Sequence, residues 1–355
     1  MDRGIPVVAA LAALAVGASA QVQPPAGPVA DSGKSIDEAE PRIPLTQETA
    51  PGNASTEFFI ARSGSYYLTR NETTATPNRD IIRVGAPDVT IDLNGFTIDG
   101  RGLANEGIDV LSSASARVTV QNGSIIGCRG NPVILRGAHS VARNISAVGG
   151  GIGAARGIYL TNVGGLVEGC RVVDADVEGV RVGDGGTVRD CVIENAASNG
   201  IWLNQGGRVI GCTIRATGPS GAGITALDGS IVDGCVIEGA ASGILAQDEC
   251  LITDNIVRDC AGVGLQTIIG GTVRGNRIIR CTTGIAVFRS GNRVDSNDII
   301  GCTTGLVSAL ADAIDNAIIR NFAQGNGTAY NVGAGNFFSV TANSVTSANY
   351  ANIEQ

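Results

Sequence analysis

The chain has 355 residues and 43% hydrophobic content, enough for a sizeable core within one repeat-built domain. Its 51 glycines come with only 11 prolines and no Gly-X-Y period, which excludes collagen and leaves turn-rich β-structure. A formal charge of -8 and a pI of about 4.8 argue against nucleic acid or an anionic membrane as partner, and an acidic polymer would need calcium or a local arginine cluster to approach.

In chain order, residues 1–20 carry Arg3, an apolar run from Ile5 to Val16 and the small residues Ala18, Ser19 and Ala20. This is the pattern of a cleavable secretory signal peptide, too short to span a membrane, and no later stretch reaches ~18 unbroken apolar residues. The expected location is therefore secreted, periplasmic or cell-surface, with no membrane span. Residues 21–43 are rich in Pro, Ala, Asp and Glu without periodicity and read as a flexible linker.

From residue 80 to residue 308 the sequence repeats itself. A glycine followed by an apolar, any, apolar triplet begins at Gly157, Gly179, Gly200, Gly223, Gly243, Gly264, Gly284 and Gly305, with gaps of 22, 21, 23, 20, 21, 20 and 21. A second short strand follows in each period, as at Gly186-Thr187-Val188 and Gly207-Arg208-Val209. A third opens at Cys170, Cys191, Cys212 and Cys235, then at Asn255, Asn276 and Asn297. Apolar residues alternate with period two inside each strand, so a helical solenoid is excluded, and the leucine-asparagine pattern of leucine-rich repeats is missing. The fold class is all-β: three short strands per ~21-residue coil, about 10 coils stacked ~4.8 Å apart into a rod of roughly 50 Å.

Stacking also assigns the cysteines and asparagines. Cys170, Cys191, Cys212 and Cys235 share one position of successive coils, and Cys260, Cys281 and Cys302 another. Their Cβ atoms would lie near the ~4.8 Å coil spacing, beyond the ~3.8 Å usual for a disulfide, so buried free thiols are expected. Asn255, Asn276 and Asn297 should form an amide ladder.

The pattern GIxL…GGxVxxC/NxI resembles the pectate-lyase-like superfamily of right-handed parallel β-helices, in particular its short-repeat secreted bacterial members. Ser63 to Gly100 looks like the opening cap and first coil of such proteins, giving an N-terminal cap over 44–79, the helix over 80–308, and a C-terminal cap over 309–355, where the period is lost. The resemblance implies a cleft on the outer face of one parallel sheet, flanked by longer turns. The turn before each GIxL strand varies most in length, so that strand's outward residues, from Asp109 and Ile134 through Tyr159, Arg181 and Trp202 to Thr225, Leu245 and Gln266, are the candidate cleft.

Tyr159, Arg181 and Trp202 are the expected substrate-binding residues: two aromatics two coils apart that could stack on sugar rings, with Arg181 donating hydrogen bonds between them. The turn Asp174-Ala175-Asp176-Val177-Glu178, if extended, projects three carboxylates on one side. That suits calcium held by Asp174, Asp176 and Glu178, or catalysis by Asp176, Glu178 and Arg181; the alternative is a solvated acidic turn. Other sites of these families have no counterpart: His139, the single histidine, sits in Gly-Ala-His-Ser rather than Gly-His-Gly, and no Asp-Pro-His occurs. Two functions follow. One is a secreted protein that binds or processes polysaccharide, as a lyase or glycosidase if it is an enzyme. The other is a non-catalytic cell-surface or matrix rod, a reading favoured by an aromatic content of only 4%.

Overall fold

The computed structural model describes residues 42–149, 155–338, 340–342 and 352–354. The signal peptide over 1–20 and almost all of the linker over 21–43 lie outside the described residues. Those described form a parallel β-solenoid in which one strand of each coil joins a 14-stranded sheet, here the front sheet. Its first strand, Pro51–Asn53, is antiparallel to Thr56–Ile60, and the other thirteen strands run parallel. The second and third strands of each coil form two further ladders. They merge through the long strands Thr119–Ile126 and Val141–Val148 into one 26-stranded sheet. There is no α-helix among the described residues, and none long and apolar enough to cross a membrane.

The stacking expected from the repeat is observed. Ile158, Val180, Ile201, Ile224, Ile244, Leu265, Ile285 and Leu306 are register partners in sequence, and every one is 0% exposed. Val167, Val188 and Val209 line the channel from the second ladder, and Val172, Ile193 and Ile214 from the third. Burying a side chain of this size contributes about 1.5–3 kcal/mol, and no coil can do so alone, which is why the apolar columns dictate the solenoid. The motif glycine belongs to the same logic. A Cβ on Gly179 would lie 2.7 Å from the Gly200 carbonyl oxygen and 2.4 Å from Ile193 Cγ2, so only glycine lets the turn close onto the core.

The coils extend past the boundaries expected from the period. Thr56–Ile60 already pairs in parallel with Asp80–Val84, and Thr304–Ser308 with Thr328–Val332, so coils lie within both segments assigned as caps, 44–79 and 309–355. Thirteen coils at ~4.8 Å give a stack of about 60 Å. The period escapes notice at the N-terminal end because the coils there are longer: Ile82, Ile108, Val133 and Ile158 are register partners 25 or 26 residues apart.

All nine cysteines are buried and free. Cys235 hands its column directly to the asparagines: its backbone N–H donates to Asn255 Oδ1 at 2.8 Å. Asn255, Asn276 and Asn297 then each donate both backbone N–H and side-chain Nδ2 to the Oδ1 of the next asparagine, and Asn321 and Asn352 continue the ladder. A second ladder of Asn292, Asn316 and Asn336 runs beside it, unanticipated because Cys250 and Gly271 hold its position in earlier coils.

Candidate functional face

The outer face of the front sheet carries one residue per coil in strict register: Arg83, Asp109, Ile134, Tyr159, Arg181, Trp202, Thr225, Leu245 and Gln266. The expected row is therefore a continuous column, extended by Arg83. The turn leading into each front strand stands at its edge. Counted from the preceding strand to the inward side chain, these connections run to between six and nine residues ahead of Ile108 through Ile224 and to five or six ahead of Ile244 through Leu306. Where they shorten, Thr217, Gly218, Pro219, Asp259 and Arg280 line an open depression of about 490 Å³.

Two residues ahead of the inward side chain of each front strand, a polar ladder rims the face: Asp80, Glu106, Asn131, Arg156, Glu178 and Asn199. Glu106 N–H donates to Asp80 Oδ1 at 3.2 Å, Asn131 Nδ2 to Glu106 Oε1 at 3.2 Å, and Arg156 N–H to Asn131 Oδ1 at 2.8 Å. Glu178 Oε1 then accepts from Arg181 Nη1 at 3.4 Å, and its Oε2 lies 2.7 Å from Arg156 Nε as an ion pair without hydrogen-bond geometry.

These contacts bring together Tyr159, Arg181 and Trp202 as expected, and add Arg156. The Arg156 guanidinium lies 4.7 Å from the centre of the Tyr159 ring; Arg181 lies 5.6 Å from Tyr159 and 5.2 Å from Trp202. Arg181 thus fills the gap between the two aromatics. Each such cation–π contact contributes about 0.5–1 kcal/mol at a partly exposed site, so the row is fixed before any ligand arrives.

The acidic turn does not behave as the sequence suggested. Asp174 has a left-handed backbone, φ 55°, which ends the extended run at once, and its Oδ1 accepts from Asn195. Asp176 is half-buried, and Glu178 is buried under its two arginines. No three histidine, cysteine, aspartate or glutamate side chains able to hold a metal ion come together among the described residues, so the grouping of Asp174, Asp176 and Glu178 for calcium does not form. Of the expected acid/base set, Glu178 is paired with Arg181 and Arg156, and Asp176 stands beside them half-buried. His139 lies exposed on a left-handed turn, φ 55°, off this face.

Sequence reasoning missed a second cluster. Asp109 accepts from Arg136 and lies 3.5 Å from Arg83, which also pairs with Asp80. Burial raises the pKa of the neighbouring Glu106, and the Asp80 charge adds to the rise against the hydrogen bonds from Asn131. Asp109 already headed the expected outward row, and Arg83 could have been found by extending that row one coil toward the N-terminus. Arg136 falls just after its strand, and Arg156 holds the rim position two residues ahead of Ile158, a column the sequence reading did not follow.

The chain matches the family described as right handed beta helix region over residues 58–214 and 156–299. No curated protein matches it. Among solved structures, the Dettilon tailspike protein is 12% identical, with 79% of this chain and 61% of that chain covered and a TM-score of 0.39. A tailspike protein from Acinetobacter baumannii bacteriophage Fri1, a capsular polysaccharide depolymerase, is 12% identical over 81% of this chain and 58% of that chain, with a TM-score of 0.46. A mannuronic acid specific polysaccharide family 6 lyase from human gut microbiota is 13% identical over 88% of this chain and 91% of that chain, with a TM-score of 0.49. The chain spans about three fifths of the length of the two tailspike chains. The family match covers well over half of the chain and agrees with the stacked columns, so the chain belongs to the right-handed β-helix family.

Proposed function

We propose that this chain binds an extended polysaccharide along the outer face of its front sheet, outside the cytoplasm, and holds it without cutting it. The carrying observation is the register of Tyr159, Arg181 and Trp202 on three adjacent strands, locked by cation–π contacts beside a rim of long turns. Guanidinium donors and aromatic edges along a straight row suit a chain of hydroxyl-rich rings lying parallel to the solenoid axis. The ion pairs of Glu178 with Arg156 and Arg181 support binding without cleavage.

Calorimetry against a panel of neutral and acidic polysaccharides tests this. Binding should weaken about tenfold or more in both Trp202→Ala and Arg181→Ala, a loss of roughly 1.4 kcal/mol each. No new chain ends should appear on prolonged incubation. Absence of heat with every polysaccharide would overturn the reading, and release of shortened chains would overturn its non-catalytic part.

A further inference from the structure

A second cavity, of about 350 Å³, lies at the N-terminal end of the solenoid, between the loop 46–50 and the turn that follows the strand Thr56–Ile60. It stands four coils before Tyr159 and shares no residue with the row of Tyr159, Arg181 and Trp202. Its volume is at the small end of the ~300–1,000 Å³ usual for small-molecule sites, so it suits a single compact ligand.

The floor is aromatic. Phe59 is the outward residue of its strand and the register partner of Arg83, while its neighbours Phe58 and Ile60 are buried in the core. A Cβ on Gly85 would come within 2.9 Å of Phe59 Cζ, so glycine at that position makes room for the ring. Tyr66 arrives from the second ladder, 3% exposed, and its hydroxyl donates to the Arg62 carbonyl at 3.0 Å. Burial raises the pKa of that hydroxyl, and the charge of Arg62 opposes the rise. The loop above is fastened rather than loose. Ala50 N–H donates to the Thr46 carbonyl at 2.9 Å, Thr46 N–H to Thr49 Oγ1 at 3.0 Å, and Gln47 Nε2 to the Glu57 carbonyl at 2.9 Å. The cavity is therefore formed before a ligand arrives.

Its walls carry opposite charges that do not meet. Glu48 and Arg62 both line the cavity and are exposed, and neither is ion-paired with the other or with any other described residue. A neutral ligand would leave both charges without a partner, and a singly charged one would leave one of them. Only a zwitterion completes both, and the rings beneath reward an apolar body.

We propose that this cavity binds a free α-amino acid with an apolar side chain, its carboxylate on Arg62, its ammonium toward Glu48 and its side chain against Phe59 and Tyr66. The site is separate from the polysaccharide-binding face, and either reading can fail without the other.

Calorimetry on the full chain tests this with four probes: L-phenylalanine, its amide, which lacks the carboxylate, N-acetyl-L-phenylalanine, which lacks the ammonium, and glycine, which lacks the side chain. L-Phenylalanine should bind saturably, about tenfold or more tighter than each of the other three, and more weakly as salt rises. Arg62→Gln should bring the acid down to the affinity of the amide, and Glu48→Gln should bring it down to that of the N-acetyl form. Both positions are exposed, so the variants should unfold thermally like the parent. Absence of heat with L-phenylalanine would overturn the inference. So would an amide or N-acetyl form that binds as tightly as the free acid, or glycine that matches phenylalanine.

Discussion

Asp295 shows how one residue ties neighbouring coils together. Its carboxylate is buried and accepts from Arg293 Nη2 at 2.8 Å, from Arg320 Nε at 2.8 Å and from Ser296 Oγ at 2.9 Å. Burial alone would raise its pKa, but the hydrogen bonds from Arg320, Arg293 and Ser296 outweigh that and hold the carboxyl well below the usual range. With the folded-state value depressed, the stabilisation is complete above the unfolded pKa of ~3.9 and is lost as pH falls below it. Asp295→Asn should therefore lower the thermal midpoint at pH 7 and flatten its decline between about pH 4 and pH 2. An acid limb identical to the parent's would show that Asp295 does not govern it. Glu178 gives a second test at this scale. Glu178→Gln should cost about 1–3 kcal/mol by releasing two guanidiniums, discounted because both are partly solvated. Calcium should leave the thermal midpoint of the parent unchanged; a rise would restore the metal reading of the turn. The residue types of this site were visible in the sequence, but their depth was not. Asp174, Asp176 and Glu178 read as one acidic run, and only the left-handed turn at Asp174 and the arrival of Arg156 from the previous coil separate them.

At the level of the single ladder, the asparagine column carries the hydrogen-bonding load of a turn that repeats without side-chain variety. Asn276 Oδ1 accepts from both the N–H and the Nδ2 of Asn255, so Asn276→Leu strands two buried donors and should destabilise by roughly 2–4 kcal/mol in denaturant titration. A loss below about 0.5 kcal/mol would mean the ladder is ornamental. The cysteine part of the same column behaves differently. Burial pushes the Cys128 thiol up to about 12, while hydrogen bonds between neighbouring thiols raise Cys170 and Cys212 and lower Cys191 and Cys235, so it is burial that shields the column. A thiol reagent at neutral pH should leave all nine cysteines unmodified in the folded chain and react with nine on unfolding. Prompt reaction of the folded chain would contradict the buried columns. This column was legible because Cys170 to Cys235 and Asn255 to Asn297 keep a nearly constant spacing, whereas Asn292, Asn316 and Asn336 follow an unlike pair and look unrelated in sequence.

Across the whole molecule, thirteen coils were partly legible: the regular middle announced itself, while the longer coils at either end hid behind their turns. Those long turns matter most, because they give the front face its rim between Ile108 and Ala226 and lend the solenoid a preferred side. The face is the outcome of one geometric fact, that residues a coil apart sit ~4.8 Å apart, applied to a row in which Arg181 falls between Tyr159 and Trp202. The measurement that tests this most directly is a crystal structure with an oligosaccharide bound. Its sugar chain should run parallel to the solenoid axis across Ile158–Leu160, Val180–Val182 and Ile201–Leu203, with oxygens within hydrogen-bonding distance of Arg181. An oligosaccharide seated instead in the depression lined by Thr217, Pro219, Asp259 and Arg280, or lying along a single coil, would contradict the account.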